Sequence, residues 1–156
     1  MADREEARDS FMKTTRAFLT LGTVFERLLP FGIVHKVRGC TVLFRQGESA
    51  KELLLVLEGE VALTPDATEP TLCRVAGRGS VLGLPATLSD KSYGFTAVAV
   101  DSCQLAIVSR KRFLEALRQD PEITMDLVQM LAEEIFEIQN IGLQFRLAQL
   151  NELAVP

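Results

Sequence analysis

The stretch Leu53-Leu54-Leu55-Val56-Leu57-Glu58-Gly59-Glu60-Val61-Ala62-Leu63 decides how the chain is read. Two apolar runs of strand length flank a polar turn that carries a glycine, the pattern of a β-hairpin. Outward from it the same arrangement repeats. Val42-Leu43-Phe44 precedes Gln46-Gly47-Glu48, and Leu72 to Val75 precedes Gly77-Arg78-Gly79. Phe95 to Val100 precedes Asp101-Ser102, and Cys103 to Val108 follows. Short strands at this spacing, joined by glycine-bearing turns, predict an all-β sandwich or barrel over residues 32–109. Glu58-Gly59-Glu60 is its clearest hairpin signal.

Both flanks have helical spacing instead. Phe11, Thr14, Thr15, Phe18 and Leu21 fall on one helical face, and Gly22 is the expected stop. A second short helix is expected from Val24 to Leu29, ended by Pro30. Residues 1–31 therefore read as N-terminal helices. After Val108, Ser109 is the expected N-cap of a helix over Arg110 to Arg118. Asp120 caps the next one, with Pro121 at its first position and Glu122 in its first turn. From Pro121 to Leu153 no proline interrupts it, so residues 110–156 read as C-terminal helices. This long helix carries two apolar stripes. One is Val128, Leu131, Ile135, Ile138, Gly142 and Phe145; the other is Phe136, Leu143, Leu147 and Leu150. A small barrel covers one stripe at most. The second calls for a partner, and the simplest is the same helix of a second copy, giving a homodimer through the first stripe.

The chain of 156 residues is long enough for one domain with a real core. Its net charge of −4 and its acidic long helix (Glu133, Glu134, Glu137) argue against direct nucleic-acid contact. The charged start MADREEARDS is no signal peptide, and no run of about 18 apolar residues predicts a membrane span. The expected compartment is the cytoplasm. Cys40, Cys73 and Cys103 lack the close pairing that structural zinc normally uses, so they read as buried small hydrophobes. The lone His35, in an expected strand, has no orienting group or oxyanion site around it and reads as a surface side chain. A jelly-roll metalloenzyme would need clustered histidines. The chain reads as non-enzymatic, with no metal or cofactor.

Gly39-Cys40-Thr41-Val42-Leu43-Phe44-Arg45-Gln46-Gly47-Glu48 resembles the opening of a cyclic-nucleotide-binding domain. The Leu53 to Val61 segment resembles the hairpin that follows it, and Gly79-Ser80-Val81-Leu82-Gly83-Leu84-Pro85-Ala86 stands where the family has its phosphate-binding cassette. Ser109 to Phe113 and Asp120 to Ile123 resemble the starts of the two C-terminal helices, with the bacterial Crp/Fnr regulators as the nearest type. The resemblance spans residues 32 to 140. It implies a mostly β fold with flanking helices: a double-stranded β-helix, or jelly roll, with N-terminal helices and a long C-terminal helix. It also implies a regulatory or sensor role, with a small effector or a protein as partner. The neighbouring reading is a Crp/Fnr-like transcription regulator lacking its DNA-binding domain.

In nucleotide-binding members, as the resemblance implies, a glutamate after the cassette glycine holds the ribose and a later arginine pairs with the phosphate. Here Gly83 is followed by Leu84, which accepts no hydrogen bond. The arginine segment reads Lys91-Ser92-Tyr93-Gly94-Phe95-Thr96, without an arginine, and Pro85 removes one N–H from the turn. Charge-assisted hydrogen bonds contribute about 1.5–3 kcal/mol each. Two missing ones weaken binding by roughly 10²- to 10⁴-fold. The cassette therefore reads as degenerate. Gly83, Leu84, Pro85, Ala86, Tyr93, Gly94 and Phe95 are the expected lining of a re-lined pocket, with Gln139 reaching in from the long helix. Two alternatives remain: a vestigial pocket in which Leu84, Tyr93 and Phe95 fill the core of a protein–protein module, and a genuine cyclic-nucleotide binder with an altered pocket.

Overall fold

The computed structural model describes residues 22–64 and 74–153. In chain order these form α1 (Gly22–Leu28), a 3-10 turn (Leu29–Phe31), β1 (Ile33–Val37), β2 (Val42–Phe44), β3 (Glu52–Glu58) and β4 (Val61–Thr64). Then come β5 (Arg74–Ala76), β6 (Val81–Leu82), α2 (Leu84–Ser89), β7 (Thr96–Ala99), β8 (Cys103–Ser109), α3 (Arg110–Gln119) and α4 (Pro121–Leu153). Two antiparallel four-stranded sheets, ordered β1-β8-β3-β6 and β2-β7-β4-β5, form the jelly roll.

β3 shows why the deciding stretch is apolar throughout. Its Leu54 and Val56 join a core between the sheets with Phe44, Val61, Leu63, Leu82 and Leu105. Its Leu53 and Leu55 join a second core under the helices with Val24, Leu28, Ala106, Val108, Phe113, Ile123 and Leu127. A strand buried on both faces loses the polar alternation of a half-exposed one. Each such side chain contributes about 1.5–3 kcal/mol by burial.

The hairpin expectation is corrected here. β3 pairs with β8 and β6, while β4 pairs with β5 and β7. Glu58-Gly59-Glu60 is a corner at which the chain leaves one sheet and enters the other. Gly59 has φ +88°, and a Cβ there would lie 2.7 Å from the Ser102 carbonyl oxygen and 2.8 Å from Cys103 Sγ. Asp101-Ser102, between β7 and β8, is the matching corner, so the two crossings pack against each other.

Ser109 caps α3, its hydroxyl accepting from the Arg112 N–H at 3.2 Å. Asp120 caps α4, Oδ1 accepting from the Glu122 N–H at 3.1 Å. Arg27 on α1 clasps this junction, 3.2 Å from Asp120 and 2.6 Å from Glu122. These acids raise the Arg27 pKa, the hydrogen bond to Glu122 most of all. Two expectations are corrected. Gly22 is the first residue of α1 and not a stop. Cys40 is exposed, in a turn with φ +64°, whereas Cys103 is buried. Arg110, at the start of α3, turns back onto α2, where its Nε donates to the Thr87 carbonyl at 3.0 Å. The helix expected over Phe11 to Leu21, and Cys73, lie outside the described residues.

α4 runs for 33 residues, about 50 Å. Among the described residues its first turns are the anchored ones, with Ile123 and Leu127 in the helical core and Met130 packed beside them. Beyond Leu131, Ile135, Phe136, Leu143, Leu147 and Leu150 are exposed, each with more than half its surface open. The expectation that the barrel covers one stripe is therefore not met among the described residues. No helix among them is long and apolar enough to cross a membrane.

Candidate functional site

The cassette is positioned by backbone bonds. The Thr87 N–H donates to the Gly83 carbonyl at 3.0 Å, and the Lys91 N–H donates to the Ala86 carbonyl at 3.0 Å. Beyond α2 the chain is stitched to the β2–β3 loop. Ala50 N–H donates to the Lys91 carbonyl, Tyr93 N–H to the Glu48 carbonyl and Gly47 N–H to the Tyr93 carbonyl, all at 2.9 Å. Between these segments lies a groove of about 310 Å³. Gly83, Pro85, Ala86, Tyr93, Gly94 and Phe95 line it, joined by Ser89, Lys91 and Ser92 at its rim.

Tyr93 dominates the groove floor. It is 5% exposed and stacks on Phe44, with ring centroids 3.9 Å apart and planes 16° from parallel. Phe95 tilts against the same Phe44 ring at 5.5 Å. The Tyr93 hydroxyl donates to the Glu52 carbonyl, which also accepts from Thr87 Oγ1 at 3.0 Å. Burial pushes the phenol pKa up, the hydrogen bond to Glu52 opposes this, and the charges of Glu52 and Glu48 raise it further. The ring also lies against the cassette glycine: a Cβ at Gly83, where φ is +79°, would come 2.8 Å from Tyr93 Cε1. The chain's own tyrosine thus fills the space above the residue whose lack of a side chain lets another group approach.

Six of the eight expected pocket residues meet in this groove, and two do not. Leu84 is 1% exposed and packs into the helical core with Leu53, Leu55 and Phe113. The left-handed Gly83 turns the chain so that Leu84 faces inward and Pro85 outward. Gln139 lies on the exposed part of α4 beside Gly142, Leu143 and Arg146, away from the groove lining. It belongs to the segment that leaves the barrel, so helical spacing alone did not bring it to the cassette. In the expected dimer stripe, Val128, Ile135 and Gly142 are exposed and Leu131 is half-buried, while the side chains of Ile138 and Phe145 lie outside the described ones. Sequence reading did not name Phe44, Ser89 or Ser92 for the groove. Val42-Leu43-Phe44 is apolar throughout, so no alternation shows that Phe44 turns inward, and nothing local shows that it meets Tyr93.

Among the described residues no carboxylate and no arginine line the groove, and Lys91 is its cation. Among the described residues no group of three or more His, Cys, Asp or Glu side chains is placed to hold a metal ion. His35 is exposed on β1.

A sequence comparison with curated proteins finds no match. Solved structures show the same fold. The catabolite activator protein of Thermus thermophilus superposes with a TM-score of 0.65 at 22% identity, over 82% of this chain and 60% of that one. The chain thus spans about three fifths of that protein's length. The N-terminal domain of a transcriptional regulator from Streptomyces coelicolor gives a TM-score of 0.63 at 19% identity, over 76% and 86%. A cyclic nucleotide-binding-like protein from Brucella abortus gives 0.52 at 28% identity, over 60% and 83%. The family model of the cyclic nucleotide-binding domain matches residues 34–120, from β1 through the whole of α3. With the two-sheet jelly roll, the cassette helix and the trailing long helix all in place, the chain belongs to the cyclic nucleotide-binding domain family, and its fold is that of the Crp/Fnr-type regulators.

Proposed function

We propose that this chain is a cytoplasmic, non-enzymatic regulatory domain whose cassette does not hold cAMP or cGMP in the family's usual way, and which works as a dimer through α4. The observation that carries this reading is the Tyr93 ring seated against Gly83, in a groove whose described lining holds no carboxylate or arginine. A cyclic nucleotide needs an acceptor for its ribose hydroxyl and a cation for its phosphate. Leu84, at the position after the glycine, is buried in the other core and offers no acceptor, and the cation among the described lining residues is a rim lysine, Lys91, in place of an arginine fork. An effector of different chemistry would act by differential affinity for two packings of α2, and Arg110 couples α2 to the start of α3.

Thermal unfolding tests the reading. A ligand at 1,000 times its Kd stabilises a folded domain by about 4 kcal/mol. Millimolar cAMP or cGMP is expected to leave the melting temperature unchanged. A rise of several degrees with either would overturn the proposal.

A further inference from the structure

The rim and floor of the cassette groove differ in chemistry. Pro85, Ala86 and Phe95 give it an apolar lining, while Ser89, Lys91 and Ser92 stand exposed at its edge. The Lys91 ammonium has no ion-pair partner among the described residues. The adjacent acid, Asp90, faces Arg110 instead, at 3.7 Å. The other nearby acid, Glu48, is engaged locally, its Oε2 accepting from the Arg45 N–H at 3.4 Å. The backbone of Lys91 is held on both sides, its N–H by the Ala86 carbonyl and its carbonyl by the Ala50 N–H, so its flexible side chain starts from a fixed point at the rim. A single unneutralised cation beside an apolar floor favours a single negative charge attached to an apolar body. A phosphate dianion calls for more cations or an arginine fork, and the described lining holds neither. At about 310 Å³ the groove is at the small end of ligand sites, too small for a long lipid chain.

We infer that this groove binds a small apolar carboxylic acid, with its carboxylate on Lys91 and the Ser92 hydroxyl and its hydrocarbon body on Pro85, Ala86 and Phe95. The inference rests on the reading of the cassette as a site without the nucleotide grip. It names the chemistry that replaces the nucleotide.

The chain has one tyrosine and no tryptophan, so its intrinsic tyrosine emission comes from Tyr93, in the groove itself. Titrating the full chain with octanoate is expected to change that emission saturably, with octanol binding at least about 10-fold more weakly, the size of one charge-assisted hydrogen bond. Lys91→Met, at an exposed position, is expected to weaken octanoate about 10-fold and leave octanol unchanged, while Lys91→Arg retains octanoate. No saturable change, equal affinity for octanoate and octanol, or a Lys91→Met variant that binds like the unaltered chain would each overturn the inference. cAMP is titrated in parallel. If neither cAMP nor octanoate binds, the inference falls and the proposed function stands; submicromolar cAMP binding overturns both.

Discussion

Tyr93 ties the groove to the barrel through one hydrogen bond and one ring stack. Its acceptor, the Glu52 carbonyl, keeps a second donor in Thr87, so removing the phenol hydroxyl leaves no orphaned oxygen. Tyr93→Phe is therefore expected to cost about 0.5–1.5 kcal/mol in urea unfolding near neutral pH. Its pH dependence has a fixed sign. Burial raises the folded-state pKa above the ordinary value of 10.0, so the unfolded phenol ionises first as pH rises. The Tyr93 contribution is complete below pH 10 and is lost as pH climbs through the higher folded value. The stability advantage of the unaltered chain over Tyr93→Phe is thus expected to shrink from pH 9 to pH 11; an advantage that grows over that range would contradict the buried phenol. Gly59 is the second residue on which the fold leans. Its φ is +88°, and the Ser102 oxygen would stand 2.7 Å from an added Cβ, so alanine has no room, because the obstacle is backbone. Gly59→Ala is expected to destabilise by about 2–5 kcal/mol, summing backbone strain and overpacking. A loss under about 1 kcal/mol would mean the two corners do not pack as described.

Among the elements, those set by local chemistry were legible in the sequence and those set by distant partners were not. Ser109 and Asp120 announced α3 and α4 because a cap is a contact within three residues. Ser109→Ala is expected to cost about 1 kcal/mol, read from the urea midpoint, with Ser109→Asp keeping most of the stability. Val42 to Phe44, Leu53 to Leu57 and Cys103 to Val108 read as strands because their apolar runs are short and bounded by turns. Their pairing was not legible. Leu57-Glu58-Gly59-Glu60-Val61 has the composition of a hairpin and folds as a corner, because β3 finds its partners in β8 and β6, far along the chain. The site shows the same division. Gly83 and the Tyr93 segment were placed together by resemblance. The direction of Leu84 depends on the left-handed turn at Gly83 and on a core built from α3 and α4, which no local pattern encodes.

At the scale of the whole molecule, α4 carries more apolar surface than the described residues cover, with Phe136 at 65% and Leu147 at 60% exposure. Monomers rarely leave so extended a stripe open. Light scattering is expected to give twice the chain mass, and Ile135→Glu to give a folded monomer, since Ile135 lies outside both cores, with a melting temperature lowered by the loss of the partner and no longer dependent on concentration. A monomeric parent chain would end the dimer reading and leave the groove untouched. The groove of this cyclic nucleotide-binding fold has Tyr93 seated against the cassette glycine, and no carboxylate or arginine lines it among the described residues. Isothermal titration of the full chain with cAMP tests the proposed loss of the nucleotide grip directly. No saturable heat is expected at micromolar nucleotide, and a submicromolar Kd would contradict the proposal.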